Sequence, residues 1–265
     1  FAFPFMAAGI GTALAAADLV VAKLPSGAGR QEHPPTTETS FAEYGTDSPE
    51  LAQRYVESRR RDRPTQAPLR EIWNRAFVGA ITMNFALYLA VGVYEVSWSL
   101  YMEHLGAPLT WTGITYVLFA LPVIALSPFA GRLVDRLGGL RFAMGAGLMV
   151  GISLFAYALA SEPYLPGAII VIEATANAFL GPAIFAILAL GTPMGRTSTT
   201  QGLFGSAGTI GFIVASLATG ALFAIDVRLP FTVFAGVVIA FFAIGGLIAR
   251  GAGRRSEAAI VPTQG

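Results

Sequence analysis

The sequence predicts an all-α membrane protein, and three observations carry that prediction. Hydrophobic residues make up 54% of the 265 and charged residues only 12%, and the apolar residues gather in long blocks. Seven of these blocks reach the ~20 residues that a helix needs to cross a ~30 Å hydrocarbon core. None shows the sustained period-two alternation of a β-barrel strand.

The blocks lie near 1–22, 77–102, 112–130, 142–160, 164–190, 202–225 and 230–249. Pro122, Pro128, Pro182, Gly145 and Gly151 fall inside them, which membrane helices tolerate. Residue 1 is Phe within an apolar run, with no basic segment before it. That start reads as a chain continuing upstream rather than as a signal peptide. The absence of cysteine excludes disulfides and thiolate metal sites.

Basic residues set the orientation. Of the 17 Lys and Arg, only Arg228 falls in a connection on the opposite side. The others lie in the stretch 23–76, the turn at 131–141, the turn near Arg196 and the tail that begins with Arg250. Those segments are expected in the cytoplasm. Trp73 and Trp111 suit the two interfacial aromatic belts.

The stretch 23–76 is the one long soluble segment. Its first half is polar and rich in chain breakers and is expected to lack structure. Ser48, Pro49 and Glu50 make a helix start, with Leu51, Tyr55 and the run Arg59–Arg63 giving an amphipathic helix. Leu69, Ile72 and Trp73 among Arg70 and Arg75 form a second such piece, and both are suited to an anionic membrane surface. The basic run is short and interrupted by acids, which argues against nucleic-acid binding.

The stretch Gly131–Arg141, GRLVDRLGGLR, joins two spans. Gly131 permits close approach of a neighbouring helix, and Gly138 and Gly139 suit a helix stop. Asp135 is placed to face the positive end of another helix, and the arginines to pair with it or with lipid phosphates. Gly131, Asp135, Arg136 and Gly138, with Arg141 following, resemble the signature loop of the major facilitator superfamily. Gly139 and Leu140 stand where that family usually has basic residues.

Two further stretches carry the resemblance. Gly181-Pro182, Gly195-Arg196 and Gln201-Gly202 resemble the connection between the tenth and eleventh helices of proton-coupled drug-efflux members. Gly202, Gly205, Gly208 and Gly211 suggest a small-residue packing face. The resemblance implies a six-helix C-terminal bundle over 77–250. Before it come a sixth helix of twelve at 1–22 and a central cytoplasmic loop at 23–76, and after it a cytoplasmic tail at 251–265. It also implies a missing N-terminal half that would supply the partner of Asp135, so residues 1–265 alone are not expected to transport.

No GxxxxGK[ST] loop or HExxH pattern occurs, and no cofactor or metal is expected. His33 and His104 read as solvated, and Asp18 as interfacial. Glu95 and Glu173 lie about seven and nine residues from the outer ends of their spans, roughly 10–14 Å deep. No Arg or Lys within the spans can pair with them, which invites a functional explanation. At 100° per residue Asn84, Tyr88, Glu95 and Ser99 share one narrow arc, and Glu173 shares a face with Asn177. The resemblance implies that these two helices, seventh and tenth, border a central cavity. A partly desolvated carboxylate there can exchange a proton.

The expected function is secondary active transport, namely proton-coupled efflux of small hydrophobic or cationic molecules by alternating access. The expected partners are a small-molecule substrate, protons, membrane lipid and the other half of the protein, in the plasma (inner) membrane. A proton-coupled uptake symporter is the alternative within transport. A seven-helix receptor is the alternative outside it, disfavoured by the long loop after the first span. Retinal would need a Schiff-base lysine, and no span has one.

Overall fold

The structure is a computed structural model that describes residues 67–250. The span at 1–22, the Ser48 helix and the tail 251–265 lie outside the described residues. Six helices follow one another: α1 Arg75–His104, α2 Leu109–Leu137, α3 Gly139–Leu159, α4 Tyr164–Leu190, α5 Thr197–Ile225 and α6 Leu229–Ala249. All six are long and apolar enough to cross a membrane. Arg70, Arg75, Arg136, Arg141, Arg196 and Arg250 cluster at one end of the bundle, and Arg228 sits at the other.

The helices are apolar nearly all round, because core and lipid are both apolar and no wet face is needed. Where two helices come closest, glycine stands at the contact. A Cβ on Gly79 would lie 2.8 Å from the Cβ of Ala249 and from the carbonyl oxygen of Gly245 on α6. On Gly92 it would lie 2.8 Å from the Phe212 oxygen and the Ala215 Cβ on α5. Glycine at these points lets backbones approach and dispersion contacts accumulate, which drives helix association in lipid.

The main contacts run in the order α5, α1, α6, α3, α4, α2, with α1 also touching α4. Exchanging α1–α3 for α4–α6 leaves this pattern unchanged: α1 on α5 and α6 becomes α4 on α2 and α3. That is the packing of two three-helix repeats. The ends of the series are the least covered helices. Only 11% of the apolar stretch of α2 and 22% of that of α5 is buried inside, against 61% for α1.

Several boundaries differ from the sequence-based expectation. Arg132, Asp135 and Arg136 lie on α2 rather than on a loop, since the helix continues to Leu137. At 1.5 Å per residue its 29 residues span about 44 Å, beyond the ~30 Å core, so its charged last turns project past the apolar layer. The link to α3 is the single residue Gly138, whose φ of 97° few other residues tolerate. Gly139 already belongs to α3.

Close approach occurs at Gly139, where a Cβ would meet the Ala183 oxygen at 3.0 Å. At Gly131 it would meet nothing within 4 Å. Gly181 and Pro182 lie inside α4, so the α4–α5 connection is the shorter run 191–196.

The four spaced glycines of α5 do not form one face. Steps of three residues turn 300°, drifting roughly 60° each time. Gly208 meets Asn84 and Tyr88, and Gly211 meets the Phe85 oxygen, while Gly202 and Gly205 face open space. The piece before α1 is a short 3-10 helix, Leu69–Ile72, capped by Trp73, with Ile72 buried and Leu69 and Trp73 exposed. Its neighbourhood is pinned to the α4–α5 connection: the Asn74 side chain donates to the Gly191 oxygen at 2.7 Å, and Arg196 to the Ala67 oxygen at 2.7 Å.

Candidate functional site

The arc of α1 that carries Asn84, Tyr88, Glu95 and Ser99 crosses the bundle between α5 and α2. Near the arginine-rich end, Asn84 is buried and donates to the Phe204 oxygen of α5 at 2.8 Å. Tyr88 packs against Gly208 of α5 and stays 40% exposed. Towards the other end, Ser99 is hydrogen-bonded to Tyr116 of α2 at 3.2 Å. Glu95 lies between these contacts along α1 and is partly exposed.

Glu173 is placed differently. It lies nine residues from Tyr164, the start of α4, as Glu95 lies nine from His104, the end of α1. Both are therefore about 14 Å along their helices from the end opposite the arginines. Yet Glu173 is 2% exposed. The Tyr94 hydroxyl of α1 donates to its Oε1 at 2.8 Å, and the Tyr157 hydroxyl of α3 to its Oε2 at 2.7 Å. Asn177, partly exposed one turn on, donates to the Glu173 backbone oxygen at 3.2 Å.

An aromatic cluster closes round the two phenols. The rings of Tyr94 and Tyr157 meet edge-on at 6.0 Å, and Trp98 meets Tyr157 at 5.0 Å. Trp98 donates to Thr115 of α2 at 3.0 Å, and Tyr101 donates to the Tyr157 backbone oxygen. The two carboxylates are thus held in different ways. Glu95 has a free flank, whereas Glu173 is sealed and has a hydrogen-bond donor on each oxygen.

Sequence reasoning singled out Glu95 and Glu173 but not Tyr94 or Tyr157. The available signal was chemical: a tyrosine within a membrane span needs a partner for its hydroxyl, and a buried carboxylate needs donors.

Among the signature residues, Asp135, Arg136, Gly138 and Arg141 are exposed at the arginine-rich end, Gly131 is partly so, and only Gly138 breaks the helix. They lie on the α2–α3 junction, far along the chain from the two glutamates.

The family model of the Major Facilitator Superfamily matches residues 80–260, all but the first turns of this bundle. The chain belongs to that superfamily. Membership makes it a multi-pass membrane protein of a transporter class, which is not enzymatic. This facilitator chain is also 25% identical over 155 residues to Multidrug resistance protein 2 of Bacillus subtilis (strain 168). The match takes in 58% of the chain and 39% of that relative, so the chain spans well under half the relative's length.

Proposed function

We propose that this facilitator bundle is one half of a proton-coupled exporter of small hydrophobic or cationic molecules. The single observation that supports this most is the pair of membrane-depth carboxylates, Glu95 open on one flank and Glu173 sealed. Intramembrane acids without a paired Arg or Lys are costly, and acids kept at that cost mark proton or substrate pathways. Glu95, partly exposed on the arc of α1 that also carries Tyr88, offers a cation a negative charge. The relative's name, a multidrug resistance protein, favours export over uptake.

In this reading the arginine-rich end faces the cytoplasm. The poorly covered faces of α2 and α5 meet a second bundle, the N-terminal half of the same protein, and substrate binds between the two in alternating access. The stretch that leads into α1 and the one that follows α6 lie on that same cytoplasmic side. The test uses cells that lack their own exporters and express the full-length protein. They are expected to accumulate less of a fluorescent lipophilic cation, and to regain it when a protonophore collapses the pH gradient. Accumulation unaffected by expression, or a reduction that survives the protonophore, would refute the proposal.

A further inference from the structure

A carboxylate in an apolar layer is normally met by a cation or left neutral. Glu173 has no cation built against it among the described residues. Its side-chain partners are two phenols, and no Arg or Lys pairs with it among the described residues. The phenols come from two different helices and reach two different oxygens. Tyr94 ties α1 to Oε1 and Tyr157 ties α3 to Oε2, with α4 between them.

The surrounding groups do not compete. Asn177 donates to the Glu173 backbone oxygen at 3.2 Å, Tyr101 is engaged with the Tyr157 backbone, Tyr116 of α2 with Ser99, and Arg228, just before α6, with the Ala160 oxygen at 3.3 Å. Glu95 follows Tyr94 directly but points roughly 100° away round α1.

Two donors on two oxygens are what an ionised carboxylate accepts. A protonated one carries an O–H of its own on one oxygen, which must donate. The phenol facing that oxygen must then accept, and its own hydroxyl proton loses its acceptor. Protonation therefore keeps one interhelical tie and reverses the other.

We propose, on the proton-coupled reading given above, that Tyr94 and Tyr157 are positioning residues for a proton held on Glu173. The phenols stabilise the anion in a dry site and so allow proton release there. Loading the proton reverses the hydrogen bond to α1 or α3 and leaves that phenol's own proton without an acceptor. The proton ends on a Glu173 oxygen, shared towards one phenol oxygen. α3, which carries no acid itself, thereby senses the charge state of α4.

The test needs no knowledge of substrate. pH-difference infrared spectroscopy of the full-length protein in lipid reads the carbonyl band of a protonated carboxyl group. One such band is expected to vanish in Glu173→Gln. In Tyr94→Phe and in Tyr157→Phe its titration midpoint is expected to move to higher pH by about one unit, tenfold in proton concentration, since each variant removes a donor to the anion. Tyr101→Phe disturbs the same cluster without touching the carboxylate and is expected to leave the midpoint in place.

If Glu173→Gln does not fold, the two phenylalanine variants still read the band. Unmoved midpoints in both, or a Tyr101→Phe shift as large as theirs, would overturn the proposal, as would the absence of any band lost with Glu173. The failure of proton-coupled export would show separately, as a protein whose Glu173 titrates as described but whose cation accumulation ignores the pH gradient.

Discussion

The Tyr94 hydroxyl of α1 donates to a carboxylate oxygen of Glu173 on α4 over 2.8 Å, one residue before the partly exposed Glu95. A single turn of α1 thus carries one acid that is partly exposed and, roughly 100° away, holds a second acid from α4. Removing the Tyr94 hydroxyl leaves a buried oxygen without its donor. Tyr94→Phe is expected to destabilise the bundle by roughly 1 kcal/mol, at the upper part of the range for interhelical hydrogen bonds in membranes. Thermal unfolding in detergent above neutral pH checks this, with Tyr164→Phe, an exposed tyrosine, as the reference that should not move.

Packing of α1 on α5 depends on glycines that leave no room. Gly92→Ala places a Cβ 2.8 Å from the Phe212 backbone oxygen and is expected to separate the helices, lowering the yield of monodisperse protein several-fold. Gly205→Ala, whose Cβ meets nothing within 4 Å, is expected to be neutral or stabilising by up to ~1 kcal/mol through helix propensity. Equal behaviour of the two would contradict the α1–α5 contact.

Gly138 alone turns the chain from α2 into α3, at φ 97°. Gly138→Ala is expected to cost about 1–3 kcal/mol of backbone strain, while Gly131→Ala, inside α2 with open space beside it, costs nothing. Melting temperatures of the two variants, measured side by side, separate a conformational need from a motif.

These two predictions also mark where the sequence was legible. Span number and order within the described residues follow from apolar length alone, and α4 matches the expected 164–190 at both ends. The end of α2 was misplaced because Arg132, Asp135 and Arg136 look like a loop, although a helix carries charge freely once past the apolar layer. Facing directions were harder to read. Helices that are apolar on every side leave no stripe to follow, so which flank of α4 carries Glu173 emerges only from Tyr94 and Tyr157 on other helices. The Gly202–Gly211 series shows the same limit, since a spacing of three rotates away from any single neighbour.

Orientation is testable because the chain has no cysteine. With any cysteine outside residues 1–265 also replaced, Glu162→Cys, on the α3–α4 connection, is expected to react with an impermeant thiol reagent added outside intact cells. Ser198→Cys, at the arginine-rich end, is expected to react only after the membrane is opened. The reverse pattern would invert the topology drawn from the basic residues.

The most direct measurement of proton-coupled export is flux of a lipophilic cation in proteoliposomes of the full-length protein, driven by an imposed pH gradient at several pH values. Glu95→Gln, Glu173→Gln and the pair are compared with the unaltered protein. The account predicts that Glu95→Gln abolishes gradient-driven flux or flattens its pH dependence, and that Glu173→Gln shifts the profile that remains. Insertion and folding should be retained, since each change removes a charge from the apolar layer. Unchanged rates and unchanged pH profiles in both single variants would contradict it.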